Sequence, residues 1–125
     1  MARPDPAPSR RPALLAMLLG LGLGVGTGAV AQGAANGLDA QMQRGRALFT
    51  GKAAPPCALC HTLAAAGSDG QIGPVLDELK PDAARVRRVL QSGLGVMPSY
   101  AGKLDAADME ALAQFVSRSA GTAAP

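Results

Sequence analysis

At 125 residues the chain has room for one small domain. With no Trp, two Phe and one Tyr it cannot build a large aromatic core, and small domains of this kind lean on a metal, a disulfide or a cofactor. The formal net charge is +3, but residues 32–125 alone carry nine basic and eight acidic groups, a net of +1. The basic balance is therefore no argument for nucleic acid, and docking on a partner has to rely on local patches.

The first 31 residues read as a secretory leader. Arg3, Arg10 and Arg11 precede an uncharged, mostly apolar run from Ala13 to Val30, and Ala29-Val30-Ala31 supplies a small-x-small cleavage pattern. The run approaches the length of a membrane span. Five glycines from Gly20 to Gly28 dilute it, however, and the cleavage pattern follows directly. The Arg10-Arg11 pair is flanked by Ser9 and Pro12, which fit a twin-arginine signal poorly. Cleavage after Ala31 would release a periplasmic domain with no membrane segment.

Residues 32–37 are expected as a flexible N-terminal tail, followed by a domain over 38–119. A first helix is predicted from Leu38 to Thr50, with Leu38, Met42 and Phe49 near helical spacing. Gly51 and Pro55-Pro56 end it, and a short helical turn is expected over 57–62. Leu63 to Lys80, with Gly67, Gly70, Gly73 and Pro74, reads as a loop. A second helix is predicted from Pro81, suited to a first turn, to Ser92, with Val86, Val89 and Leu90 inward and Gly93 closing it. A further loop carries Met97-Pro98. The last helix starts at Asp105 as N-cap, with Asp108 in the capping-box position and an apolar stripe of Leu104, Ala111, Leu112, Phe115 and Val116. Residues 120–125 are expected to fray. No strand-like alternation is visible, so the predicted class is all-α.

Cys57-Ala58-Leu59-Cys60-His61 is the C-x-x-C-H arrangement for covalent haem attachment. Two thiols three residues apart lie on one side of a tight turn, so each can bond one vinyl group, and the adjacent histidine is placed to ligate iron. A leader suits this chemistry, because haem c is attached outside the cytoplasm. Other readings are a zinc site, a thioredoxin-like redox pair and a structural disulfide. Zinc wants four ligands, yet the chain has two Cys and one His. A thioredoxin-like pair wants a βαβ context, and a Cys57–Cys60 disulfide would close too short a loop to stabilise much.

With a single histidine in the chain, methionine is the natural sixth iron ligand, and Met/His ligation raises the reduction potential. Met42 and Met109 fall within predicted helices, where Met commonly fills core. Met97 lies in a loop between Gly95 and Pro98, where the backbone can approach a ring. With both axial positions filled, the iron would relay electrons and leave catalysis to others. A five-coordinate haem enzyme or gas sensor is the competing reading.

The chain resembles the class I c-type cytochromes through Gly45 to Phe49, Cys57-x-x-Cys60-His61, Gly73-Pro74-x-Leu76, Met97-Pro98-x-Tyr100 and the final helix with Phe115. The resemblance implies three to four helices around one haem, with first and last helices crossing. It implies close approach at Gly45 with Phe49 and Phe115 nearby, and a hydrogen bond from His61 to the Pro74 carbonyl. A narrower likeness lies in Pro56-Cys-Ala-Leu-Cys-His-Thr-Leu63, Ile72-Gly-Pro-Val-Leu-Asp-Glu-Leu-Lys-Pro81 and Gly95-Val-Met-Pro-Ser-Tyr100. This set is similar to the small monohaem cytochromes that serve sulfite-oxidising molybdenum dehydrogenases as subunit or partner. The implied partners are a donor dehydrogenase and an acceptor oxidase or cytochrome, with sulfite chemistry left to the donor. Ala54-Pro55-Pro56 and Ala58-Leu59 are a candidate apolar docking rim. Arg85, Arg87 and Arg88 form a basic cluster that is either a docking patch or a solvated face.

Overall fold

The computed structural model describes residues 28–122, with side chains from residue 33. The leader sequence and residues 123–125 thus lie outside the described side chains. Helix α1 runs Gly28–Ala47 and passes into a wider, π-helical turn, Leu48–Lys52. It starts ten residues before the predicted Leu38: no proline interrupts 32–37, and Ala34 and Ala35 offset part of the cost of Gly33 and Gly37. The expected tail is therefore helical, with its described side chains exposed. The wide turn is marked by the Ala53 amide donating to Leu48 O at 3.1 Å, one residue further back than in an α-helix. The Thr50 hydroxyl, donating to Arg46 O at 3.0 Å, adds a side-chain competitor at the same place.

Helix α4, Ala106–Ser119, packs across α1, and α3, Ala83–Ser92, packs on α4. At the α1–α4 crossing Gly45 is buried: a Cβ there would overlap the Ala111 carbonyl oxygen and sit 2.5 Å from Phe115 Cβ. The helices cross this closely only because residue 45 has no side chain. One turn on, Phe49 and Phe115 meet edge to face, centroids 5.9 Å apart at 63°. Phe49, Leu63 and Leu112 are the bulkiest fully buried side chains. The predicted stripe of α4 is buried, with Leu104 at its edge, and Met109 joins it.

The predicted cap at Asp105 holds with an amendment, and α3 has a cap at Asp82 in place of the predicted start at Pro81. Asp105 accepts the Asp108 amide at 2.7 Å, but the Asp108 carboxylate pairs with Arg44 of α1 rather than reaching back. The capping box is half made, and its other half ties two helices together. Asp82 accepts the Arg85 amide at 2.7 Å, so α3 starts after Asp82 and Pro81 is not in its first turn. Pro81 is buried before the cap.

The expected loop 63–80 has structure of its own. Thr62–Leu63 (β1) and Ser68–Asp69 (β2) pair antiparallel, Thr62 opposite Asp69, around a 3-10 turn at Ala64–Ala66. One helical turn, α2, spans Leu76–Leu79. Strands of two residues are too short to show alternation. Asp77 in α2 accepts the Ala64 amide at 2.8 Å and the Gly121 amide at 2.9 Å. It thereby fastens residues 120–122, which were expected to fray. Among the described residues no helix is long and apolar enough to cross a membrane.

Candidate haem site

Residues 57–59 form a single 3-10 turn. The Cys60 and His61 amides both donate to Cys57 O, at 3.0 and 2.9 Å, which curls the motif tightly and sets the imidazole inward. The segment after β2 then folds back over the motif. The Thr62 hydroxyl donates to Gly70 O at 3.0 Å, and the Gly73 amide donates to Cys60 O at 2.7 Å. Gly70 passes so near that a Cβ would come within 2.6 Å of Cys60 C and His61 N.

Gly73 lies against the imidazole itself: a Cβ there would be 2.7 Å from Nδ1 and 3.0 Å from Nε2. Next to it, His61 Nδ1 stands 2.9 Å from Pro74 O. Pro74 O can only accept, so Nδ1 carries the proton and Nε2 is left with a lone pair for a metal. His61 is buried at 8% exposure. This is the contact implied for Pro74.

His61, Cys57 and Cys60 form part of the wall of a cavity of about 530 Å³, inside the range of about 300–1,000 Å³ common for cofactor sites. Aliphatic side chains and prolines dominate the rest of the wall, with Leu76, Val86 and Leu90 on one side and Leu112 and Val116 of α4 behind. Met97 lines the cavity too, whereas Met42 and Met109 do not. Met97 and Leu94 exchange backbone hydrogen bonds of 3.0 Å each way, which pins the loop that presents the thioether. The chain thus brings every residue singled out in the sequence to one space: Cys57, Cys60, His61, Pro74 and Met97.

Tyr100, also in the wall, joins the Met97 loop to the cysteine segment. Its hydroxyl donates to Pro55 O at 2.6 Å, and its amide donates to Leu90 O at 2.7 Å. Burial first, then the neighbouring Cys57 and Cys60 sulfurs, push the phenol up to about 12. Burial likewise pushes the Cys57 thiol up to about 11. These thiol sulfurs stand where thioether sulfurs would be; once bonded they no longer titrate, and burial alone remains acting on Tyr100.

Sequence reasoning missed three parts of the site. Gly70 and Gly73 act through the room they leave, and Gly73 entered the sequence reading only as part of the Gly73-Pro74-x-Leu76 motif. Tyr100 was visible only as part of a motif. Arg85, read as one member of a basic cluster, also lines the cavity, while its neighbour Arg87 pairs with Glu110 at 2.8 Å. The cluster is therefore divided among different tasks.

The cavity, its two thiols and its oriented imidazole define a protein that carries haem covalently. Residues 40–116 match the family described as "Cytochrome C oxidase, cbb3-type, subunit III", and the chain belongs to this family of c-type cytochrome domains. Among solved structures it is similar to the c-type cytochrome SorU from Sinorhizobium meliloti, with 45% identity and a TM-score of 0.67. The match covers 70% of this chain and 99% of that one. No curated protein matches the chain significantly. The fold is that of a class I cytochrome c, and the protein is an electron carrier with covalently bound haem c. The residues fit that group: an apolar slot of suitable volume, two sulfur attachment points, and one nitrogen ligand with its tautomer fixed. Among the described residues no cluster of three or more His, Cys, Asp or Glu could hold a metal ion instead.

Proposed function

We propose that the protein is a periplasmic monohaem cytochrome that takes single electrons from a sulfite-oxidising molybdenum dehydrogenase and passes them to the respiratory chain. The observation that carries this reading is the convergence of three segments. Pro56 to Leu63, Ile72 to Pro81 and Gly95 to Tyr100, which resemble the cytochromes of sulfite dehydrogenases, each contribute to the wall of the one cavity. The likeness to SorU along nearly the whole of that chain supports it.

In this reading Cys57 and Cys60 would hold the haem through two thioethers, and His61 Nε2 and Met97 Sδ would ligate its iron. Haem iron supplies a one-electron couple between ferrous and ferric states. The protein's part is to hold the two ligands, exclude water and set the potential. Pro74 O keeps Nδ1–H engaged, which orients His61 and raises its basicity. The apolar walls disfavour the more highly charged ferric centre and so favour reduction. With His61 and Met97 both committed to the iron, the group would keep no position for substrate, and sulfite oxidation would belong to the partner.

Leu59, at 63% exposed, stands beside Cys60 on the outer side of the motif. Together with Ala58 and Pro55-Pro56 it makes an apolar rim where a partner could approach the attachment edge. Residues 1–31 act as the cleaved leader that delivers the chain to the periplasm; N-terminal sequencing of the holoprotein from a periplasmic fraction should begin at Gln32.

Stopped-flow mixing of ferric holoprotein with a sulfite dehydrogenase and sulfite tests the donor. Reduction within the enzyme's turnover time, at a rate little changed by salt, is expected for an apolar rim on a near-neutral domain. Reduction that is slow with this enzyme but fast with an unrelated dehydrogenase would leave a general electron shuttle.

A further inference from the structure

Among the described side chains that line the cavity, Arg85 alone carries a fixed charge. The other polar groups there are spoken for. The Tyr100 hydroxyl donates to Pro55 O, His61 Nδ1 to Pro74 O, and the two thiols are consumed by attachment. Elements packed around the same space from other sides present only apolar groups: Phe49, Leu76 and Leu79, Leu112 and Val116. Prolines contribute no N–H.

A haem, however, brings two carboxylates as well as an apolar disc, and a carboxylate held against such walls needs a charged or polar partner. Arg85 is exposed as well as lining, so it stands where the cavity meets solvent. Its backbone is fixed by the bond to the Asp82 carboxylate at the start of α3. That bond engages Asp82, the nearest acid in sequence. Among the described residues the Arg85 guanidinium has no hydrogen bond or ion pair, unlike Arg44 on Asp108 and Arg87 on Glu110.

We propose that Arg85 is the anchor for a haem propionate, its planar fork taking the carboxylate at the α3 side of the cavity mouth. A guanidinium suits this task because its parallel N–H groups match a carboxylate two to two. The proposal rests on the haem occupying the cavity that His61 and Met97 share. Arg88, also exposed but not lining the cavity, is the internal control for charge alone.

The test uses holoprotein variants Arg85→Gln, Arg85→Lys and Arg88→Gln, read by redox potentiometry and by the propionate-bending band in resonance Raman spectra. Arg85→Gln should lower the potential well beyond Arg88→Gln, because a cation beside the haem disfavours the ferric state, and should shift the propionate band. Arg85→Lys should keep most of the potential but still shift the band, since the charge stays and the fork is lost. Equal potential shifts in Arg85→Gln and Arg88→Gln, with the band at its wild-type position, would overturn the proposal. If Arg85→Gln yields no holoprotein, an unmoved band in Arg85→Lys overturns it alone. Haem staining on a denaturing gel is a separate readout: its loss in the wild type would sink the cofactor reading rather than this assignment.

Discussion

Replacing Gly73 with alanine should strike the proximal ligand without touching any bonding atom. The new methyl would lie 2.7 Å from His61 Nδ1 and 3.0 Å from Nε2, inside any normal van der Waals separation. The neighbour in the way is a ring buried on one side and held by Pro74 O on another, so it cannot swing clear cheaply. Either the ring tilts or the loop lifts, and both weaken the Nδ1–H bond. Overpacking a tight site costs about 1–3 kcal/mol, and a buried donor left without its acceptor, here His61 Nδ1–H, costs about 1–3 kcal/mol. Because partial relaxation relieves both, a loss of roughly 2–4 kcal/mol is expected. A less basic imidazole stabilises ferric iron less, so the reduction potential should rise. Two matched glycines separate the causes. At Gly51 a Cβ meets nothing within 4 Å, so Gly51→Ala should change neither quantity appreciably. Gly45→Ala, at the α1–α4 crossing, should destabilise by about 1–3 kcal/mol while leaving the potential in place. Guanidinium chloride unfolding of the ferric holoprotein and potentiometry read the two. Gly73→Ala indistinguishable from Gly51→Ala in both would refute the role given to this close approach.

Other substitutions probe the remaining walls. Met97→Ala should lower the potential and let the ferrous protein bind carbon monoxide, seen in the Soret spectrum; a wild type that already binds carbon monoxide readily would remove Met97 as ligand. Replacing both Cys57 and Cys60 with serine should abolish haem-peroxidase staining after denaturing electrophoresis. Tyr100→Phe removes the donor from Pro55 O, which belongs to an exposed residue that water can reach, and should cost about 0.5–1.5 kcal/mol in denaturant unfolding at neutral pH. Burial raises the Tyr100 phenol above its ordinary 10, so the fold favours the neutral form. That contribution is complete below pH 10 and is lost as pH rises through the raised value. The stability gap between wild type and Tyr100→Phe should therefore narrow over that range, and a constant gap would contradict the burial of the hydroxyl.

What the sequence revealed, it revealed through spacing. Cys57, Cys60 and His61 lie within one turn, so their geometry is local and legible. The stripe of α4 and the N-cap at Asp105 are local too, whereas Pro81 drew attention away from the cap at Asp82 one residue on. The misreadings come from contacts distant in sequence. The Asp108 carboxylate goes to Arg44, 64 residues away, which no capping pattern records. Residues 120–122 are held by Asp77, 44 residues before Gly121, so end-of-chain composition misjudged them. The start of α1 was misplaced for a different reason: Ala-rich sequence permits a helix without any packed face to announce it. Arg85 and Arg87 are two apart on α3, which turns them to different sides of the helix, and one meets the cavity while the other meets α4. A charge cluster in sequence was not one on the surface.

The bond between the Tyr100 hydroxyl and Pro55 O bears on speed as well as stability. It fastens the strand of chain leading into the cysteines to the strand leaving Met97, 45 residues apart. The two halves of the slot are thereby fixed to each other by protein alone, independent of the oxidation state of what lies between them. An electron arriving or leaving then finds the surroundings already in place and has little nuclear rearrangement to wait for. A clasp of this kind lowers the reorganisation energy of the couple, and so shortens the time this carrier needs at each encounter.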